Sequence, residues 1–434
     1  MANKWINTTV GEFCPFIYGK NLPQDKRIIG TIPVFGSNGC VDYHNNAYVK
    51  GPGIIIGRKG SVGAINISYI PFWPIDTTFY IEKPSHGELF FTYYLLKTLG
   101  LEGMNSDSAV PGLNRDNAHS LPIKIPKEIK EQCKIGLWIH TFDRKISINR
   151  AINQTLEQIS QTLFKSWFVD FDPVIDNALE AGNPIPDSLQ KQAELRQKVR
   201  NSSEFKPLSN EIRALFPAEF EETELGWVPK GWECLPVSKT IEINPSVKLS
   251  KGQNAKYIDM KALPTSGYSI SEVITKPFSG GTKFQKNDVL FARITPCLEN
   301  GKTGFVDFLN KGEIGFGSTE FIVMRATDKV HFGYVACLAR DEKLRSHAIQ
   351  NMVGSSGRQR VQNSCFDNYY VAIPDANIMS IFAVQMEILF SKMRCNNNEI
   401  SSLTQLRDTL LPKLISGELS LEELPETTTE TEYA

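Results

Sequence analysis

The sequence predicts an α+β protein whose plan is written twice: a mixed α/β domain, a long helix, a second mixed domain and a second long helix. Three observations carry this. Two helical seams sit at a constant offset, related strand–glycine–strand segments precede each seam, and a proline-punctuated stretch joins the halves. In the first seam Ile135, Ile139, Phe142, Ile146, Leu156, Ile159 and Leu163 advance by threes and fours, with Asn149 at one seam position. In the second, Phe382, Met386, Leu389, Met393, Leu403, Leu406 and Leu410 repeat the pattern, with Asn396 on the seam. Residues 135 and 382, 149 and 396, and 163 and 410 are each 247 apart. Chance does not keep two seams in register, asparagine included, so an internal repeat governs the fold.

The repeat continues upstream. Leu121-Pro122-Ile123-Lys124-Ile125-Pro126 matches Tyr369-Tyr370-Val371-Ala372-Ile373-Pro374. Small polar loops precede both, over residues 106–111 and 354–359. Further up, Gly53-Ile54-Ile55-Ile56-Gly57-Arg58-Lys59-Gly60-Ser61 has its counterpart in Asp288-Val289-Leu290-Phe291-Ala292-Arg293-Ile294 continuing to Gly301-Lys302-Thr303-Gly304. Each leads through a polar turn, Asp76-Thr77-Thr78 or Ser318-Thr319-Glu320, into another strand, and β-branched, aromatic and glycine-rich text of this kind predicts mixed β structure. The expected divisions are domain one over 1–130, a helix over 131–169, a joining segment over 170–226, domain two over 227–376, a helix over 377–419 and an acidic, disordered tail over 420–434. Within the joining segment, rich in proline, one short helix is expected over Ser188–Val199, capped by Asp187.

Charge is segregated. The 434 residues carry a net −1, yet residues 170–226 and 416–434 each hold a net −6, which leaves +11 on the rest. A positive balance of that kind suits a polyanion, and solvated surface charge accounts for it equally well. Eight cysteines lie scattered without a C-x-x-C pair, so neither zinc ligation nor a disulfide framework is expected, and Cys14 and Cys365 are read as small core residues. No signal-like or membrane-spanning apolar run occurs, and a reducing cytoplasm is the expected location.

Catalytic constellations are missing. Gly301-Lys302-Thr303 looks like the end of a P-loop, but the position needing the first glycine is Pro296, whose ring removes the N–H that a phosphate cradle uses. Lys302 is read instead as a loop cation available to phosphate. No G-x-G-x-x-G follows a strand, and the six histidines show no metal-ligand spacing, so no cofactor or metal is expected.

The text around Pro33-Val34-Phe35-Gly36-Ser37-Asn38-Gly39, Ile54 to Ser61 and Phe72-Trp73-Pro74-Ile75-Asp76-Thr77-Thr78 resembles target-recognition domains of type I restriction–modification specificity subunits. The ending Leu406-Arg407-Asp408-Thr409-Leu410-Leu411-Pro412-Lys413-Leu414-Ile415-Ser416-Gly417 resembles that family's distal helical region. The resemblance implies two target-recognition domains held apart by two helices packed as an antiparallel coiled coil, with an internal pseudo-twofold repeat. It implies a non-catalytic subunit that reads a bipartite, asymmetric site on double-stranded DNA for two methyltransferase (modification) subunits and, where present, restriction subunits. The second domain has Phe291-Ala292-Arg293-Ile294 where the first has Ile56-Gly57-Arg58-Lys59, which implies different half-sites.

Candidate DNA-contacting residues in the first domain are Ser37, Asn38, Arg58, Lys59, Ser61, Thr77, Thr78, Asn114 and Arg115. In the second they are Lys283, Arg293, Lys302, Ser318, Thr319, Arg358, Gln359 and Arg360. Arginine can bridge guanine O6 and N7, amides such as Asn38, Asn105, Asn114, Gln359 and Gln362 suit adenine, and lysine or hydroxyl groups fix phosphates. For any single residue, turn formation or plain surface competes with that role. Tyr43, His44, Phe72 and Trp73 are read as packing groups. Asn149 and Asn396 are expected to meet face to face, since a seam asparagine fixes register at a cost in stability; a solvated turn at Asn396-Asn397-Asn398 is the competing reading.

Overall fold

The computed structural model describes residues 5–83, 86–104, 112–203, 205–224, 226–355 and 357–423. Contacts divide the chain into two units, one from residues 1–148 and 399–434, the other from residues 149–398. The first begins with β1 (Trp5–Thr9), α1 (Val10–Phe13), β2 (Ile17–Tyr18), β3 (Ile32–Gly36), β4 (Gly39–His44), β5 (Gly53–Gly57) and β6 (Ile65–Ser68). It continues with β7 (Trp73–Pro74), β8 (Thr78–Glu82), α2 (His86–Thr98), α3 (Arg115–His119), β9 (Pro122–Pro126) and the start of α4 (Ile129–Phe168). Its sheets run β2-β8-β5-β6 and β4-β3-β7, beside the pair β1-β9. Strand β5 is buried on both faces, which explains its unbroken apolar text. Ile54 and Ile56 join a core with Phe79, Leu89, Ile135 and Ile139, while Ile55 faces Phe35, Val49, Phe72 and Tyr80.

The second unit opens on α5 (Asp172–Ala181), α6 (Gln190–Arg200), α7 (Asn210–Arg213), β10 (Phe220–Thr223) and β11 (Gly226–Pro229). Then come β12 (Glu233–Pro236), α8 (Val237–Thr240), β13 (Ile241–Ile243), β14 (Asn254–Ile258), β15 (Ile274–Pro277), β16 (Thr282–Gln285) and β17 (Val289–Ala292). They are followed by β18 (Thr303–Phe305), β19 (Ile314–Gly317), β20 (Phe321–Ala326), α9 (Phe332–Arg340) and α10 (Glu342–Gln350). The last are β21 (Met352–Val353), β22 (Arg360–Val361), β23 (Tyr370–Ile373) and α11 (Ala376–Ser416). Its sheets run β13-β20-β17-β18 and β15-β14-β19-β16, beside the pair β12-β23. In strand order and direction β3 lies parallel to β7 as β14 does to β19, and β5 sits between β8 and β6 as β17 does between β20 and β18.

Three expectations need correction. The joining segment, set apart from domain two in the expected divisions, packs into the same unit: Phe171, Val174, Leu189 and Phe216 enter the second unit's core, and Arg196 grips the Asp176 carboxylate with two bonds of 3.0 and 2.7 Å. Pro173, one of the prolines of that segment, stands at the start of α5, where its missing N–H costs nothing. The first residues of the expected tail are structured. Leu421–Glu423 form a 3-10 turn, and Leu419 and Leu421 pack on the first core; the rest of the acidic run lies outside the described residues.

The third concerns the seams. Ile135, Ile139 and Ile146 are buried, as are Phe382, Met386 and Met393, but Ile159 and Leu406 are 47% and 49% exposed. The buried track passes one residue on, through Ser160 and then Phe164 and Trp167. Register also differs by about one turn. Asn396 Nδ2 donates to Asn153 Oδ1 at 2.8 Å, and Asn153 Nδ2 donates to Asn397 Oδ1 at 2.7 Å. Asn153, four residues beyond the buried Asn149, is itself a seam residue and supplies the facing amide. In the first unit Arg407 of α11 pairs with Asp143 of α4, and Tyr94 Oη donates to the same carboxylate at 2.7 Å.

Candidate nucleic-acid interface

In the first unit three loops are laced together at the end of β5. The Arg58 and Lys59 N–H groups donate to the Thr77 carbonyl at 2.9 and 3.1 Å, and Leu113 N–H donates to the Arg58 carbonyl at 2.8 Å. Ser37 Oγ donates to the carbonyls of Lys59 and Thr77. Gly57 is required here, because a Cβ would stand 2.0 Å from the Ser61 carbonyl oxygen. The lacing presents Arg58 beside the half-exposed Tyr18. Guanidinium carbons of Arg58 and Arg115 each lie 5.0 Å from the Tyr18 ring centre, so one ring supports two cations. Arg58 also lies 5.9 Å from the Phe79 ring and donates to the Asp76 carbonyl at 3.1 Å. Arg115 Nε is buried and has no hydrogen-bond partner, while its nearest carboxylate, Asp116, is 3.5 Å away.

Other predicted residues are distributed around this point. Lys59, Ser61 and Asn38 are exposed, and Asn38 lines a polar cleft of about 500 Å³ with Asn66, Tyr94 and Lys97. Asn114 is committed as the cap of α3, accepting from the Asp116 and Asn117 N–H groups. Thr78 is wholly buried and donates to the Ile75 carbonyl at 2.7 Å, so it shapes the turn rather than facing a ligand. Thr77 is half-buried. Asn105 and the loop at 106–111 lie outside the described residues. His44 and Phe72 are buried, in keeping with a packing role, Trp73 is half-buried and Tyr43 is exposed.

The second unit builds its cluster differently. Arg293 Nη2 donates to the Val361 carbonyl at 2.7 Å, and its Nε is buried with no hydrogen-bond partner. Arg360, expected to face DNA, places its fork on Glu320 at 2.7–3.0 Å. That bond holds the Glu320 carboxyl below its ordinary range. Gln359 and Thr295 exchange backbone and hydroxyl bonds that fix this loop to the end of β17, and Arg358 and Thr319 are exposed. Ser318 Oγ accepts from Glu320 N–H. Lys302 is corrected: its ammonium donates to the Met260 carbonyl at 2.9 Å and ties two loops together. Lys283 stands apart on the neighbouring sheet, half-buried on β16.

Sequence reasoning missed Tyr18, because nothing in its spacing links residue 18 to residues 58 and 115. The buried cysteines are poor nucleophiles, since desolvation pushes the Cys14 thiol up to about 12 and the Cys365 thiol up to about 11.

Residues 2–158 match the family model described as the type I restriction modification DNA specificity domain. The specificity subunit of the type I restriction enzyme HindI from Haemophilus influenzae is 28% identical over 334 residues, 71% of each chain. The chain is thus similar to type I specificity subunits over most of its length, and residues 2–158 match their DNA specificity domain. The specificity subunit of the EcoEI enzyme from Escherichia coli is 30% identical over 215 residues, 46% of this chain and 35% of that protein. The crystal structure of a type I restriction–modification S subunit from M. genitalium covers 99% of both chains at a TM-score of 0.56 and 14% identity, a likeness of fold. The Arg58–Tyr18–Arg115 stack and the Arg293–Val361 bond follow corresponding strands, β5 and β17, and differ from each other.

Proposed function

We propose that this chain reads DNA sequence for a type I restriction–modification complex, each unit recognising one half of a bipartite, asymmetric site. It is a specificity subunit and catalyses no step itself. The observation that carries the reading is the pair of differing arginine clusters at matching strand ends: Arg58 stacked on Tyr18 after β5, Arg293 bonded to Val361 after β17. Arginine held as a rigid fork is suited to guanine, and two unlike clusters suit two unlike half-sites.

In this reading α4 and α11 pair as an antiparallel coiled coil that spaces the half-sites, related by an approximate twofold repeat. The Asp143–Arg407 and Asn153–Asn396 contacts support it, since residue numbers rise on one helix as they fall on the other. The partners are two modification subunits and, where present, restriction subunits, and the site of action is the cytoplasm. No described helix is long and apolar enough to cross a membrane. Ile152, Ile159, Val384 and Ile388 are exposed on the helices and offer apolar surface for a protein partner.

Reconstitution tests the proposal. The purified chain alone is expected neither to cleave nor to methylate DNA, and addition of modification subunits and adenosylmethionine is expected to give methylation at one bipartite sequence. Activity of the chain without partners refutes it.

A further inference from the structure

The sheet β15-β14-β19-β16 turns Ile258 and Phe284 toward a core. Strand alternation and register put Lys276, Tyr257, Phe316 and Lys283 together on its other face: Lys276 pairs with Ala255, Tyr257 with Phe316, and Phe316 with Lys283. The Lys276 ammonium lies 3.2 Å from the Tyr257 ring centre and 5.8 Å from that of Phe316, and Lys283 lies 5.1 Å from the Phe278 ring. Nearby carboxylates are already engaged. Glu272 pairs with Lys261 at 2.7 Å, and Asp259 accepts from the Tyr257 hydroxyl and the Lys261 N–H.

The first unit repeats this arrangement from unrelated text. Lys20 lies 5.1 Å from the Tyr48 ring centre and 6.0 Å from that of Trp73. Trp73 pairs in parallel with Val34 as Phe316 does with Tyr257, so the two aromatics occupy the same place in matching sheets. The lysines do not correspond: Lys20 follows β2, whereas Lys276 is on β15. Here too the adjacent acid is neutralised, Asp42 by Arg27 at 3.1 Å. Among the described residues, Lys20, Lys276 and Lys283 make no ion pair.

An ammonium resting on a ring is restrained at little electrostatic cost and keeps N–H donors for an anion. We propose that these two sheet faces are matched phosphate seats for the backbone of double-stranded DNA, Lys20 in the first unit and Lys276 with Lys283 in the second. The proposal rests on the DNA-reading role above and assigns these lysines affinity without sequence preference, separate from the arginine clusters.

The test uses the full chain with its modification subunits, a fluorescein-labelled duplex carrying the sequence methylated in the host genome, and a scrambled duplex of equal length. Affinities are measured by anisotropy between 50 and 200 mM salt, a range within which phosphate contacts change affinity by orders of magnitude. K20A/K276A/K283A is expected to flatten the slope of log affinity against log salt by about 2 to 3, at about 0.9 per phosphate lost. Both duplexes should weaken alike, leaving their affinity ratio within about threefold of the original, and K20R/K276R/K283R should restore the slope. An unchanged slope overturns the proposal. So does a collapse of the affinity ratio at constant slope, which would make the lysines base readers. Equal binding of both duplexes by the original complex would instead refute the DNA-reading role itself.

Discussion

Replacement of Arg58 separates base reading from simple charge. Arg58 has five N–H donors, one of which is given to the Asp76 carbonyl at 3.1 Å, and the Tyr18 ring supports the guanidinium plane. The remaining donors form the fork that a guanine edge would accept. Removing one bidentate base contact costs about 1–3 kcal/mol, or roughly 5- to 150-fold in affinity. The stack on Tyr18, about 0.5–1 kcal/mol at a half-exposed position, exists with or without DNA and enters folding stability rather than binding. Arg58→Ala and Arg58→Lys are therefore expected to lose discrimination at one base pair of one half-site, by similar factors, with the salt slope of Arg58→Lys unchanged. Lysine keeps the charge and loses the fork. The assay is competition among duplexes that vary one base pair at a time, run with the reconstituted complex. If Arg58→Lys behaves like the original protein while Arg58→Ala weakens every duplex equally and flattens the slope by about 0.9, Arg58 holds phosphate and the assignment fails.

Other outcomes follow from the same structure. His119 Nε2 accepts the Phe16 N–H at 2.8 Å, and burial, with Arg115 nearby, depresses its pKa below the ordinary 6.5. The folded state thus binds fewer protons, so stability is full above pH 6.5 and falls as pH drops through the folded value. His119→Gln, whose amide oxygen can still accept, should flatten that part of the pH profile in thermal unfolding; an unchanged profile contradicts it. Asn396→Leu leaves the Asn153 oxygen without its donor and should cost about 1–3 kcal/mol in chemical denaturation, largely regained in Asn153→Leu/Asn396→Leu. Additive losses would show the amides are not coupled. Insertion of one heptad into both α4 and α11 adds about 10 Å of helix, which should lengthen the preferred spacer by roughly three base pairs without altering the half-sites. A library of randomised spacers checks this, and an unchanged spacer rules the helices out as the ruler.

What was legible in the sequence follows from how far each signal reaches. The helices declare themselves through apolar residues three and four apart, so Ile135, Ile139, Phe382 and Met386 are read as buried and are largely so. Phase was harder where a small polar residue carries the seam. Ser160 is wholly buried beneath Tyr268, whose hydroxyl lies 3.2 Å from Ser160 Oγ, and hydropathy favours its neighbour Ile159 instead. Asn153 was overlooked for the same reason. Pro173 and its neighbours read as linker because proline marks both helix starts and breaks, and only the packing of Val174 and Phe171 decides between them. For the candidate site, the sequence offered strand ends rich in glycine and arginine but none of the contacts made there. Tyr18, Arg58 and Arg115 meet across distances in sequence that no local pattern encodes, and Lys302 and Arg360 are claimed by a carbonyl and a carboxylate that sequence could not foresee.

The central claim is that this chain, and no other component, chooses the DNA sequence that its complex modifies. Its most direct test is to map methylated bases across a host genome carrying the modification subunits, with the gene for this chain present, absent, or altered at Arg58 alone. One bipartite, asymmetric motif is expected to appear only with the gene, with relaxed preference at one position of one half of that motif in the Arg58→Lys strain. Methylation at the same motif in the absence of the gene, or a motif whose two halves change together on substitution of Arg58, would contradict it.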